Sequence, residues 1–192
     1  CPFELQFDGA KEADIVICDY NYVFAPRSAT GRITDAGIGQ PGKPDLVIDE
    51  AHNLPGRAMD YYSPLLSSVV LERMREEHRK VPSLFRVEAE ELLDGCIRVV
   101  ASCRSGEAPK PMRIDPPVEL FIEQDVRLRA FLSRYLDSGP EIQKQDVILR
   151  LAFYWAAFTE VLEYVADPDR DEFFTTFHPH AGGGTVRITC CD

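Results

Sequence analysis

The chain has 192 residues, 45% of them hydrophobic and 28% charged, which is the balance of a folded globular protein rather than a disordered one. Its net charge of −11 argues against a surface coated for polyphosphate binding, although a local basic patch remains compatible with that charge. The most apolar stretch, "LAFYWAAF", is too short for a membrane span and predicts a buried helix. We therefore expect no membrane association.

The first third of the chain has the pattern of an α/β fold. "FELQFDGAKEA" predicts a short helix, and "DIVICDY" and "DLVID" are apolar runs of strand length. A loop at 25–44, rich in Gly, Pro, Ser and Thr, separates the two runs. Strands that are apolar on both faces are typical of a parallel sheet covered by helices. We therefore expect residues 15–18 and 46–48 to be neighbouring parallel strands.

From about Tyr62 the pattern changes to helices, followed by a final strand. The four predicted helices run from Ser63 or Ser67 to about Lys80, from Ser83 to Cys103, from Pro116 to about Gly139, and from Pro140 to about Ala166. Apolar residues spaced by three and four give the third helix one core face, formed by Phe121, Leu128, Phe131, Leu132 and Tyr135. The fourth helix is apolar almost all round, which indicates a central position. "TVRITCC" predicts the last strand.

Six cysteines fit no disulfide framework typical of a small secreted domain. Cys18 lies in an apolar run, and Cys96 and Cys103 lie on one predicted helix face, so we interpret all three as core thiols. Reduced cysteines of this kind favour a cytoplasmic protein.

Two adjacent carboxylates, Asp49 and Glu50, end the apolar run "LVID". The carboxyl edge of a parallel sheet is where such folds bind ligands. In nucleotide hydrolysis one acid of such a pair holds Mg²⁺ and the other orients or deprotonates the attacking water, which predicts these roles for Asp49 and Glu50. His52 follows on the next turn and is a candidate relay to a neighbouring domain. The alternative is that Asp49 only caps a short helix beginning at Glu50.

The string "DEAH" at 49–52 resembles the Walker B motif of superfamily 2 helicases. Together with "CPFEL" at the start, "ADIVICDYNYVF" at 13–24 and "DEAHNLPGRAMDYYS" at 49–63, it resembles the iron–sulfur helicases of the XPD/DinG type. The resemblance implies an α/β fold, part of a RecA-like P-loop NTPase motor domain with a parallel sheet, interrupted by an all-α helical arch domain. It also implies ATP, Mg²⁺ and a [4Fe–4S] cluster as cofactors, with Cys1 as one cluster ligand.

The same resemblance divides the chain into three parts. Residues 1–62 would belong to the first motor domain, 63–178 to the arch, and 179–192 to a strand that returns to the motor. The expected function is ATP-dependent translocation on single-stranded DNA and unwinding of duplex or forked DNA, with a possible protein partner on the arch.

One stretch imitates a phosphate-binding loop. "GIGQPGK" at 37–43 satisfies G-x-x-x-x-G-K, but Pro44 follows it and offers neither a hydroxyl nor a backbone N–H. The stretch also precedes a strand, whereas a phosphate-binding loop follows a strand and opens a helix. We therefore expect the nucleotide-binding loop upstream of Cys1, and no appreciable ATP hydrolysis by these 192 residues alone.

Two groups of residues are candidates for DNA contact. Tyr20, Asn21 and Tyr22 follow the first apolar run, where aromatic rings could stack on bases or could simply close the core. The basic run at 73–80 could line a passage for the strand or could be a solvated helix face; its cations are Arg73, Arg75, Arg79 and Lys80.

Two other functions remain open at this point. The helical part could be a non-catalytic module that docks a protein partner, which the acidic composition favours. Alternatively, the protein could be a DEAH-type ATPase without unwinding activity.

Overall fold

The structure, a computed structural model, describes residues 5, 8–10, 13–25, 45–104, 110–143, 145–167 and 169–191. The chain divides into two units, Cys1–Tyr62 and Ser63–Asp192.

The first unit contains short helical segments in its described residues. Residues 8–10 are helical, α1 spans Asn21–Phe24, a 3-10 turn spans Ala51–Asn53, and α2 spans Leu54–Tyr61. Pro55 lies in the first turn of α2, where a missing backbone N–H costs nothing because that turn has no intrahelical acceptor. The rest of the helix predicted near the N-terminus and most of the predicted loop at 25–44 lie outside the described residues.

The predicted parallel sheet is not found among the described residues. Neither 15–18 nor 46–48 is paired as a strand, and their apolar side chains are open to solvent: Ile17 is 96% exposed and Val47 100% exposed. A strand that is apolar on both faces is stabilised only when neighbouring strands and covering helices bury it. The described part of the first unit supplies neither, and these runs are not paired as strands there. The prediction of Cys18 as a core thiol is wrong for the same reason, because Cys18 is exposed.

The second unit contains the four predicted long helices. They are α3 (Ser68–Glu77), extended by a 3-10 turn at His78–Lys80, α4 (Ser83–Ser102), α5 (Val118–Asp137) and α6 (Val147–Val165). Ser67 occupies the N-cap position of α3 but makes no side-chain capping bond, and Ser83 is the first residue of α4 rather than its cap. The helices are therefore where the sequence predicts them, with shifted starts.

The second unit also contains a four-stranded antiparallel sheet, so the predicted all-α arch is wrong. The strands are β1 (Leu65–Ser67), β2 (Met112–Ile114), β3 (Phe173–His180) and β4 (Gly183–Cys190), in the order β1-β4-β3-β2. A two-residue turn joins β3 to β4, and Gly182 in this turn has a φ of 80°, which glycine adopts without strain. The predicted last strand is thus confirmed as β4, where it pairs with β3 and β1. Its assignment to a motor domain stays a prediction.

The core of the second unit is built around α6, which packs against α3, α5 and the strands β1, β3 and β4. Ten residues of α6 are buried, which confirms its predicted central position. Trp155 is fully buried, stacks on Phe121 with ring centroids 5.4 Å apart, and donates its indole N–H to the Phe121 carbonyl at 3.1 Å. The predicted core face of α5 is confirmed at four of its five positions, since Leu132 is half-buried. Cys96 and Cys103 are buried, as predicted.

No helix in the described part of the chain combines the length and the apolar character needed to cross a membrane.

Candidate functional site

The DEAH residues form a tight turn at the start of α2. Asp49 and Glu50 lie in the turn, and Ala51–Asn53 continues it as a 3-10 helix. The backbone N–H of Glu50 donates to Asp49 Oδ1 at 2.9 Å, and the N–H of Asn53 donates to the Glu50 carbonyl at 2.9 Å. Asp49 is therefore not the N-cap of the 3-10 helix, because its carboxylate accepts from the N–H of the adjacent Glu50 and Glu50 itself occupies the N-cap position.

Glu50 has a left-handed backbone, with a φ of 51°. A residue with a Cβ pays about 1–3 kcal/mol for such a conformation, so surrounding contacts must hold it. Strain of this kind is concentrated at functional sites, where it fixes the direction of a side chain.

Tyr20 supplies one of the contacts that hold this turn. Its hydroxyl contacts the carbonyl oxygens of both Asp49 and Glu50, the second at 3.0 Å. Nothing in the local pattern of the sequence pairs Tyr20 with residues about thirty positions away. The structure therefore gives Tyr20 a role at the DEAH turn that the sequence reasoning missed.

The side chain of Glu50 pairs with the imidazole of His52. His52 Nδ1 lies 3.2 Å from Glu50 Oε2, and both side chains are largely exposed, 72% for His52 and 66% for Glu50. Solvent screens a pair this exposed, so the contact orients the two groups more than it stabilises the fold. Because the Glu50 side chain is largely exposed, its carboxylate stays accessible to a ligand or a water.

The other first-unit candidates, Asn21 and Tyr22, lie on α1. The amide oxygen of Asn21 accepts a hydrogen bond from the Tyr61 hydroxyl at 2.7 Å, which connects α1 to α2. The ring of Tyr20 packs edge-on against Phe24 at 6.4 Å. Tyr22 is half-buried. Base contact by these residues stays a prediction, whereas Tyr20 and Asn21 have defined structural contacts.

The basic run on α3 and the following 3-10 turn is partly neutralised. Arg75 forms ion pairs with Glu72 at 3.3 Å and Asp94 at 2.8 Å, and the hydrogen bond to Glu72 and the charge of Asp94 raise the pKa of Arg75. Lys80 pairs with Glu77 at 2.9 Å. Arg73 and Arg79 are exposed and form no ion pair with any residue that the structure describes. DNA contact by this run stays a prediction.

Two metal sites were predicted, an iron–sulfur cluster at Cys1 and Mg²⁺ at Asp49. Cys1 lies outside the described residues, and among those described no three His, Cys, Asp or Glu side chains converge as a metal-binding group. Mg²⁺ in nucleotide sites needs only one or two protein carboxylates, because phosphates and waters complete its shell. The adjacent acids Asp49 and Glu50 fit that requirement in residue type and exposure.

A comparison with protein families finds a match in the part of the chain that contains the DEAH turn. The DEAD_2 family model matches residues 1–71, a stretch that contains the DEAH turn. This match supports a DEAD/DEAH-type helicase family, and with it a nucleic-acid-related ATPase class of enzyme. No curated protein matches the chain.

Proposed function

We propose that the chain is part of an ATP-dependent DNA helicase of the XPD/DinG type, which couples ATP hydrolysis to translocation on single-stranded DNA and to duplex unwinding. The observation that carries the proposal is the DEAH turn, with two adjacent exposed acids, inside the stretch matched by the DEAD_2 model. The left-handed backbone at Glu50, held by the Tyr20 hydroxyl, supports it. Backbone strain of this kind is concentrated at functional sites, where a side chain must be held in one direction.

The acids of the turn have separate roles in this proposal. Asp49 holds Mg²⁺, which when bound neutralises charge on the nucleotide phosphates. Glu50 orients the attacking water and accepts its proton through its exposed carboxylate. His52 keeps the Glu50 side chain in one direction and is the candidate relay to a neighbouring domain.

The exposed apolar runs support a larger motor domain around the first unit. Ile15, Ile17 and Val47 would be buried if 15–18 and 46–48 joined a parallel sheet with further strands. In this proposal Cys1 is a ligand of a [4Fe–4S] cluster, and the phosphate-binding loop and the other cluster cysteines lie outside these 192 residues. The second unit is then the arch, inserted into the motor.

The test is the substitution Glu50→Gln in the full-length protein. We expect kcat for DNA-stimulated ATP hydrolysis to fall by about 100-fold, because the amide cannot accept the proton, while ATP affinity stays within about twofold. Glu76→Gln, on the exposed side of α3, is the matched control and should leave both quantities unchanged. Hydrolysis assays with oligo(dT) and equilibrium binding of a labelled ATP analogue measure the two.

Unimpaired hydrolysis by the Glu50→Gln protein would remove Glu50 from its role and contradict the proposal. Strand separation on a forked duplex tests the second half of the proposal. If the wild-type protein hydrolyses ATP but does not separate the strands, it is a DEAH-type ATPase without unwinding activity.

A further inference from the structure

The antiparallel sheet of the second unit has one buried and one outward face. Alternate residues of β3 and β4, such as Phe177, Val186 and Ile188, are buried in the core. The residues between them point away from the core and are half-buried or exposed. We call this side the outer sheet face; it is defined by Arg113, Phe174, Thr176, His178, Thr185 and Arg187.

The outer sheet face differs in charge from the chain as a whole. The chain has a net charge of −11, yet none of the residues in the four strands is acidic. The nearest acids in sequence, Asp115 and Glu172, lie just beyond the ends of β2 and β3, and Glu172 is 3.8 Å from Arg170. In an acidic protein, four adjacent strands without a carboxylate make a local surface that an anion can approach.

Two arginines stand in one row across this face. Arg113 on β2 and Arg187 on β4 are both in register with Thr176 on β3, so the two arginine backbones are about 10 Å apart. Both side chains are exposed, and neither forms an ion pair with a residue that the structure describes. Their guanidinium groups are thus available to an external anion.

An aromatic ring lies beside this row. The Arg113 guanidinium is 5.3 Å from the centre of the Phe174 ring, a cation–π contact that holds both groups against the sheet. His178 contacts the Thr176 hydroxyl through Nε2 at 3.0 Å, which places an imidazole on the same face. Arginine planes and aromatic rings are the groups on which unpaired bases stack.

We propose that the outer sheet face binds single-stranded nucleic acid, with Arg113 and Arg187 on the phosphates and a base stacked on the Arg113–Phe174 pair. Charge complementarity alone would also suit an acidic protein segment, but a cation–π pair beside the arginines favours a ligand that has planar bases as well as phosphates. The inference rests on the proposed function for its choice of DNA, and it adds a binding surface to the second unit.

The test measures binding of a dye-labelled oligo(dT) to the full-length protein by fluorescence anisotropy across a NaCl titration. Arg113→Glu/Arg187→Glu should weaken binding at least tenfold at low salt. Its salt dependence should also fall, because each phosphate contact on a single strand contributes about 0.7 to the slope of log K against log salt. Arg98→Glu/Arg104→Glu, the matched control at the C-terminal end of α4, makes the same change of charge at two exposed arginines and should bind within about threefold of wild type.

Phe174→Leu tests the stacking part separately. We expect about tenfold weaker binding to oligo(dT) with an unchanged salt slope, and no loss on an abasic strand of the same length. A melting curve followed by circular dichroism reports whether each variant keeps its fold. If charge reversal unfolds the protein, Arg113→Gln/Arg187→Gln replaces that variant.

Three results would overturn the inference: wild-type binding by the double variant, an equal loss in the control, or competition by poly-glutamate as strong as that by oligo(dT). The last would make the surface a site for acidic protein segments. Failure of the proposed function is separable, because it appears as unimpaired hydrolysis by Glu50→Gln. Loss of oligo(dT) binding in Arg113→Glu/Arg187→Glu would support the binding surface independently of the result of the ATP hydrolysis assay.

Discussion

At the scale of single residues, the DEAH turn depends on a contact between distant parts of the first unit. Glu50 adopts a left-handed backbone that is unfavourable for any residue with a Cβ. The Tyr20 hydroxyl contacts the carbonyl oxygens of Asp49 and Glu50, which belong to the two peptide groups that flank the Glu50 α-carbon. It therefore fixes the two peptide planes that set the direction of the Glu50 side chain. We therefore regard Tyr20 as a positioning residue for Glu50.

The substitution Tyr20→Phe should separate positioning from binding. Removing the hydroxyl leaves the turn without this restraint, and we expect kcat for DNA-stimulated ATP hydrolysis to fall about tenfold in the full-length protein while KM for ATP is unchanged. Steady-state kinetics measure both constants, and a melting curve checks the fold. An unchanged kcat, or a fall that is matched by a large loss of thermal stability, would contradict a positioning role.

The residue types of the site were predictable, but their contacts were not. The string at 49–52 identifies the acids and His52 because each lies in one short motif. The contact of Tyr20 joins residues about thirty positions apart, and hydrophobic periodicity carries no information on such pairs. The exposure of Cys18 was mispredicted because an apolar neighbourhood in sequence does not supply a covering layer in space.

At the scale of elements, α6 begins where a side chain satisfies its first backbone N–H groups. Asp146 Oδ1 accepts from the N–H of Ile148 at 2.9 Å and of Leu149 at 3.1 Å. Its other oxygen, Oδ2, accepts from the Tyr135 hydroxyl on α5 at 2.7 Å. The cap thus joins two neighbouring helices of the core. The sequence predicts a start at Pro140, because polar residues before Asp146 do not break the helical pattern.

Ionisation of Tyr135 should link this cap to pH. Burial, together with the hydrogen bond to Asp146 and its charge, raises the pKa of Tyr135 to about 12 from an ordinary value of 10. The fold therefore favours the protonated phenol, and this stabilisation is present below pH 10 and lost as pH rises through about 12.

Tyr135→Phe tests this linkage. The variant should lose about 1.5 kcal/mol of unfolding free energy at pH 8, because a hydrogen bond to a charged acceptor is removed. The difference from wild type should shrink as pH rises from 10 towards 12. Urea unfolding followed by Trp155 fluorescence measures it, and a difference that stays constant with pH would contradict the linkage.

The helices of the second unit were predictable and most of its strands were not. A helix of about twenty residues repeats its apolar spacing several times, so the sequence predicts which face of the helix is buried. β1 and β2 have three residues each, too few for any period to appear. β3 does alternate, with Phe173, Thr175 and Phe177 buried, and that signal in "FFTTFHPH" was missed.

At the scale of the whole molecule, the second unit carries both buried and exposed reporters of its folding. Trp155 and the thiols of Cys96 and Cys103 are buried in the second unit, and burial raises the pKa of both thiols to about 12. Cys191, at the end of the same unit, is exposed. Because the thiolate is the reactive form, the buried cysteines should be inert while the unit is folded.

Pulsed alkylation at pH 8 in increasing urea should show this difference. We expect iodoacetamide to modify Cys191 without urea, and to modify Cys96 and Cys103 only over the urea range in which Trp155 fluorescence shifts to longer wavelength. Peptide mass spectrometry assigns each site. Modification of Cys96 before the fluorescence change would mean that the second unit opens locally rather than as one cooperative unit.

Features that depend on neighbours along the chain could be predicted from the residues alone: the DEAH motif, the four long helices, the central position of α6 and the buried thiols of α4 and its end. The antiparallel sheet, the contact of Tyr20 with the DEAH turn and the unpaired arginines of the outer sheet face became visible only in the folded chain. Periodicity and motifs report which face of a segment avoids water, whereas strand pairing and contacts between distant side chains depend on which segments the folded chain brings together.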